Sequence, residues 1–229
     1  MNTILWLHGF PLTNAIFVKQ LAIAGVEHVM PELPPLESMD DYARFAIGQL
    51  DLRGIEKATF AGLSMGGYIC FAALRLFPER VSGLILVDTR ETADTADGRK
   101  GRFEMIEKAE KEGVAPIAEA MLPKMLTPAA PPELRQFVRD VMMSTSREFV
   151  IAALRAMAAR PDSSSLLPTI RVPTLVVVGE EDPITPPKDA ERMASTIPNA
   201  KLVKLARAAH LSNVERATEF NAAVTQFQT

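Results

Sequence analysis

Residues 57–77 read KATFAGLSMGGYICFAALRLF. The first six form an apolar run of strand length, and residues 65–77 form the longer apolar run of a buried helix. Between them stands Gly62-Leu63-Ser64-Met65-Gly66. A serine in a sharp strand-to-helix turn is forced into an unfavourable backbone conformation, and the residues two before and two after must be small for strand and helix to approach. Gly62 and Gly66 meet that requirement. The turn would lift the Ser64 hydroxyl clear of the backbone, while the Met65 N–H, at the positive end of the helix, would face an anion forming beside it. The pentapeptide alone is weak evidence, since a glycine-rich turn with an ordinary serine has the same letters. Its position between strand and helix is what the chemistry requires.

Working outward towards the N-terminus, residues 3–7 (TILWL) suit a parallel strand buried on both faces. That strand delivers His8-Gly9-Phe10-Pro11. Gly9 permits a tight exit, which leaves the Phe10 N–H free to face the same cavity as Ser64 and act as a second oxyanion donor. His8 and His28 read as structural residues that satisfy local polar groups. An amphipathic helix is expected over residues 14–24, with Thr13 or Asn14 as cap, then a short strand over 26–30. The prolines of PELPPLES (31–38) make a loop, and a helix follows over 39–52.

On the C-terminal side, residues 81–87 (VSGLILV) read as another buried strand ending in Asp88. From 91 to 167 only helical patterns occur, over 99–112, 114–121, 132–143 and 147–159. Met105, Met121, Met125, Met142, Met143 and Met157 are expected partly as core and partly as an adaptable apolar surface. The sheet resumes at 172–179, followed by Asp182, a helix over 189–197, a strand over 200–205, His210 and a last helix. The organisation expected is a first core segment, 1–90, a helical cap, 91–167, and a second core segment, 168–229.

With 229 residues, 48% hydrophobic and 23% charged, the chain can bury one substantial core. A net charge of −3 gives no footprint for nucleic acid. No uninterrupted apolar stretch reaches membrane-spanning length, and the start lacks the features of a signal peptide, so no membrane association and a cytoplasmic location are expected. The single cysteine, Cys70, fits a packing role in a reducing compartment.

Ser64, Asp182 and His210 thus follow three strand ends in that order. A serine hydroxyl needs a base with a pKa near the working pH; an imidazole supplies it, and a buried carboxylate holds the correct tautomer. Asp88 also follows a buried strand and competes for the acid role. The order Ser, acid, His is that of α/β-hydrolases.

The stretches HGFP, GLSMGG, VPTLVVVGEEDPITPP and AHLSNVE, spread over nearly the whole chain, resemble the α/β-hydrolase superfamily, and most closely its branch of 3-oxoadipate enol-lactonases, small carboxylesterases and cofactor-free haloperoxidases. The resemblance implies an α/β fold in which Ser64 is nucleophile, His210 base and Asp182 its orienter, the GEEDPITPP context favouring Asp182 over Asp88. It implies an oxyanion hole from the Phe10 and Met65 N–H groups, and a cap that shapes substrate choice. Where the family usually has two strands before the HG strand, this chain starts on it. ELPPLES lacks the glycines of the usual loop, and Ala209 replaces the common Gly before the histidine.

A shortened parallel sheet of about six strands is therefore expected, with residues 26–30 at its edge. Short, charged and followed by prolines, that edge is not suited to pairing across subunits, so a homodimer, if the chain is not a monomer, would use the apolar cap. The activity implied is hydrolysis of a small ester or lactone through an acyl-enzyme, with no metal or organic cofactor. Two alternatives stand beside it: perhydrolase or haloperoxidase activity on the same triad, which Pro11 cannot decide, and a non-catalytic binding protein of the same fold.

Overall fold

Alternation within the strands builds the two faces of the sheet. In a computed structural model, which describes residues 2–228, β1 (Asn2–Leu7) sends Leu5 and Leu7 to one face and Ile4 and Trp6 to the other, all completely buried. The same division recurs in β3 (Ala58–Leu63), β4 (Val81–Val87) and β5 (Thr174–Gly179). With β2 (Val26–Val29) and β6 (Lys201–Leu205) these strands form a six-stranded sheet in the order β2-β1-β3-β4-β5-β6. Every pairing is parallel. Parallel neighbours need crossover helices, and these cover both faces, which is why the central strands carry unbroken apolar sequences.

One face is covered by α1 (Met39–Asp51), α2 (Met65–Leu76) and, further along the chain, α7 (Pro187–Thr196). Ser38 caps α1 by accepting the Asp41 N–H, which serves one of the donors a helix start leaves unpaired. The opposite face is covered by a 3₁₀ helix over Asn14–Ala22 and by α8 (Ser212–Glu215) and α9 (Ala217–Gln228). The segment expected as an amphipathic α-helix is thus wound more tightly. Its buried Phe17 and Gln20, and Ile23 just after them, recur every third residue, the period of a 3₁₀ helix, while Val18 and Leu21 are exposed.

Between β4 and β5 lie α3 (Ala96–Glu112), α4 (Ala115–Met125), α5 (Pro132–Met143) and α6 (Arg147–Ala159). Their buried residues join both cores. Ile106, Ala109, Phe149 and Leu154 of α3 and α6 join the core on the α1–α2 face, whereas Ala118, Leu122, Val138 and Met142 of α4 and α5 join the core on the other. Helix α4 runs past the expected end at 121, through Pro123. Ala118, Leu122 and Met125 keep the helical spacing on its buried side, and a proline in the last turn removes only one backbone bond. Of the six methionines between residues 91 and 167, Met125, Met142 and Met157 are core, Met105 and Met121 are half-buried against it, and Met143 is exposed.

Candidate active site

The placement of Ser64, the candidate nucleophile, follows from steric demands at the end of β3. Ser64 has φ 53° and ψ −111°, a left-handed conformation that a non-glycine residue adopts only when its surroundings impose it. The surroundings are close: a Cβ on Gly66 would collide with the Leu7 carbonyl, and one on Gly62 with the Gly66 backbone. The Thr89 hydroxyl, just past β4, donates to the Ser64 carbonyl oxygen at 2.7 Å and braces the turn from the other side. Met65 opens α2, so its N–H lies in the first turn, where helical donors lack intrahelical acceptors. The loop carrying Phe10 lies against the same serine, since a Cβ on Gly9 would stand 3.1 Å from the Ser64 Cβ.

His210 and Asp182 arrive from the loops after β6 and β5. The Ser64 Oγ lies 2.9 Å from His210 Nε2, and His210 Nδ1 lies 2.8 Å from Asp182 Oδ2. All three residues expected from the sequence are therefore brought into one hydrogen-bonded chain. With Asp182 ionised, Nδ1 carries the proton and Nε2 is left to accept the serine hydroxyl.

Asp182 is held by its own loop. Its Oδ1 accepts the backbone N–H groups of Ile184 and Thr185 at 2.8 and 3.1 Å, and its Oδ2 accepts the Thr185 hydroxyl at 2.6 Å. Burial alone would raise this carboxyl, but the facing His210 and the Thr185 bonds outweigh it and hold its pKa below the ordinary aspartate value. His210 shows the converse. Burial disfavours its charged form, yet the charge and hydrogen bond of Asp182 prevail and raise its pKa.

Asp88, the competing acid, does not reach the imidazole by hydrogen bond. Its Oδ1 accepts the Gly179 N–H at 2.8 Å, and its Oδ2 accepts the N–H and hydroxyl of Ser212 at 3.1 and 2.6 Å. The other two histidines sit away from this chain of bonds. His8 Nε2 accepts the Leu33 N–H at 3.1 Å while Nδ1–H faces the Gly9 carbonyl. His28 Nδ1 accepts the Trp6 indole N–H at 3.1 Å, with its Nε2 against the Ile23 carbonyl.

Sequence reasoning passed over Thr185, Thr89 and Arg90. The first was legible, because an aspartate accepting backbone N–H groups two and three residues on is an Asx turn, and Asp182-Pro183-Ile184-Thr185 has the composition for one. The others act across the fold: Arg90 donates to the Ile184 carbonyl, tying the loop after β4 to the acid loop.

The sequence matches the family described as alpha/beta hydrolase fold over residues 2–217. It is 30% identical over 189 residues to 3-oxoadipate enol-lactonase 2 of Acinetobacter baylyi, covering 81% of this chain and 69% of that protein. Among solved structures, a thermophilic esterase from Thermogutta terrifontis superposes with a TM-score of 0.97 at 33% identity, over 100% of this chain and 89% of the other. The enol-lactonase from Burkholderia xenovorans LB400 superposes with a TM-score of 0.89 at 27% identity, over 99% of this chain and 91% of the other. A strand-ordered serine, aspartate and histidine on a parallel sheet thus stands in a chain that belongs to the alpha/beta hydrolase fold family, with esterases and enol-lactonases among its relatives.

Proposed function

We propose that the protein is a serine hydrolase that cleaves a carboxylic ester or lactone of a small substrate through an acyl-enzyme. The observation that carries this reading is the continuous chain Ser64 Oγ, His210 Nε2, His210 Nδ1, Asp182 Oδ2, with links of 2.9 and 2.8 Å. Ser64 attacks the carbonyl carbon as its proton passes to His210 Nε2. The negative charge on the carbonyl oxygen is taken up by the Phe10 and Met65 N–H groups, donors that are in place before the charge forms. His210 then protonates the departing alkoxide, which in a lactone stays attached to the acyl group. Water attacks the acyl-enzyme, giving its proton to the same nitrogen; the bond from the acyl carbon to Ser64 Oγ then breaks as His210 returns that proton to Oγ, and the acid is released. Throughout, Asp182 keeps the imidazole in the tautomer that can accept from serine and stabilises the imidazolium. The helices between β4 and β5 stand over the strand ends in this reading and shape the choice of substrate.

The esterase and enol-lactonase relatives support hydrolysis of this bond class. Replacing Ser64 with Ala is expected to lower ester or lactone turnover by about 10³- to 10⁶-fold with the fold retained. The measurement is turnover of acyl esters of graded length and of several lactones, together with fluorophosphonate labelling. Wild-type protein that resists the label, or a Ser64→Ala variant that keeps a tenth of the activity, would sink the nucleophile assignment. Adding peroxide to an acetate assay distinguishes hydrolysis from peracid formation on the same residues.

A further inference from the structure

His210 lies in a buried loop whose neighbours on both sides are bound to the end of α4. Ala209, His210, Leu211, Ser212 and Asn213 are each at most 3% exposed, so their backbone donors depend on partners inside the protein. The Leu211 N–H, directly after the histidine, donates to the carbonyl of Met125, the last residue of α4, at 3.0 Å. The Ala209 N–H, directly before it, donates to Glu215 Oε2 at 2.7 Å. The other oxygen of that carboxylate, Oε1, accepts both the N–H and the hydroxyl of Thr127, at 2.9 and 2.7 Å. Thr127 is itself buried and lies two residues beyond α4.

We infer that Glu215 is a positioning residue that ties the His210 loop to the 125–127 segment, so that the placement of the imidazole depends on where the end of α4 sits. The inference rests on the reading of His210 as the base. A carboxylate suits this task because it is acceptor-only and two-ended: one oxygen serves the histidine loop, the other the insertion. No uncharged side chain offers the same pair, since an amide turned to serve Thr127 places its NH₂ against the Ala209 N–H. Glu215 also belongs to α8, which packs against the 3₁₀ helix over Asn14–Ala22, so its backbone is anchored in the core while its carboxylate bridges the two loops. The imidazole is thereby held from three directions: by Asp182 at Nδ1, by the Met125 carbonyl through Leu211, and by Glu215 through Ala209. Asp88 adds a fourth through Ser212, but from the sheet rather than from the insertion. The Met125 and Glu215 connections carry a displacement of the end of α4 to the His210 loop, and a misplacement of about 1 Å at a catalytic group costs up to about 10²-fold in rate.

The test compares Glu215→Gln, Thr127→Val and the double variant by steady-state kinetics well below their melting temperatures. Alongside, fluorophosphonate labelling rates and the low-field proton signal of the His210–Asp182 hydrogen bond are recorded. Glu215→Gln is expected to lower kcat about tenfold and Thr127→Val about threefold, with KM nearly unchanged, because the loss is in alignment. The double variant should fall no further than Glu215→Gln, since both act through one connection. The low-field signal should shift or broaden in each. Unchanged kcat in Thr127→Val and Glu215→Gln, effects that multiply in the double variant, or a loss confined to melting temperature would each overturn the inference. If Glu215→Gln does not fold, Thr127→Val decides alone: wild-type kcat with an unaltered signal overturns it. Wild-type protein that fails to label would instead remove the hydrolase reading.

Discussion

The ends of β4 and β5 lie side by side, and each delivers a buried aspartate towards the same histidine loop, yet the two carboxylates are put to opposite uses. Asp88 follows β4 directly, in a left-handed conformation with φ 43°, and is turned onto backbone donors of Gly179 and Ser212. Asp182 stands three residues beyond β5, and that extra loop carries it to His210 Nδ1. The difference in partner decides the charge. Asp88 is completely buried, and its burial, with the Asp182 charge adding, pushes its pKa up to about 8. Asp182 is buried too, but it faces the His210 imidazole, whose charge and hydrogen bond outweigh burial and lower its pKa. Two carboxyls pushed apart in this way divide into one whose ionised form is favoured beside the imidazole and one whose burial favours the neutral acid. Position after a buried strand is therefore insufficient to name the catalytic acid; the length of loop beyond it matters as much.

The sharpest way to break this contrast is to neutralise each carboxylate in turn. Asp182→Asn is expected to lower kcat by up to about 10⁴-fold, because an amide does not hold the imidazole in the accepting tautomer. Asp88→Asn should cost less than about tenfold, as it touches the histidine only through Ser212. Ester turnover under single-turnover conditions measures both. A larger loss in Asp88→Asn than in Asp182→Asn would reverse the assignment.

A smaller effect separates the two by charge. In the proposed mechanism the base is neutral His210, and its raised pKa would place the acid limb of kcat/KM above the ordinary histidine value of about 6.5, with activity falling as pH falls through it. Removing an anion that stabilises the imidazolium lowers that pKa, so Asp182→Asn should carry its residual activity to lower pH. An ionised Asp88 would also raise His210. A neutral Asp88 would bring no charge to bear on His210, and on that reading Asp88→Asn leaves the limb in place. A downward shift in that variant would mean that Asp88 is ionised there.

How far these features were readable from the sequence depended on whether local backbone geometry demanded them. The elbow was plain because no side chain fits at Gly62 or Gly66, and the four inner strands because apolar runs buried on both faces have few other interpretations. The triad residues could be placed after strand ends, but separating Asp182 from Asp88 needed either the family-like context or the distance of 2.8 Å to His210. The helix expected to end at 121 runs on through Pro123, because Ala118, Leu122 and Met125 continue the helical spacing, and a proline in a final turn looks the same in sequence as one that breaks a helix. The bridge from Thr127 through Glu215 to Ala209 had no local signature, because its two ends are brought together only by folding. Glu215 was visible as part of AHLSNVE, but its task was not.

The smallest expected effect concerns stability and tests the neutral state of Asp88 directly. In the unfolded chain an aspartate titrates near 3.9, whereas in the folded protein Asp88 holds its proton up to about 8. Between these values the native state binds a proton that the unfolded state has lost, so this group's contribution is fully present below about pH 4 and declines as pH rises towards 8. Its slope is at most about 1.4 kcal/mol per pH unit. An asparagine at this position cannot titrate and turns its NH₂ towards the Gly179 N–H or the Ser212 donors, so Asp88→Asn should be less stable than wild type at pH 5 by roughly 1–3 kcal/mol. The wild type then loses stability with rising pH that the variant does not, while every other titrating group is common to both. The gap, taken as the melting temperature of the wild type minus that of the variant, should accordingly fall from pH 5 to pH 8 and changes sign if the full slope applies. Chemical or thermal unfolding at several pH values measures it, and a gap that stays constant or widens would place Asp88 among the ionised carboxylates, removing the contrast with Asp182.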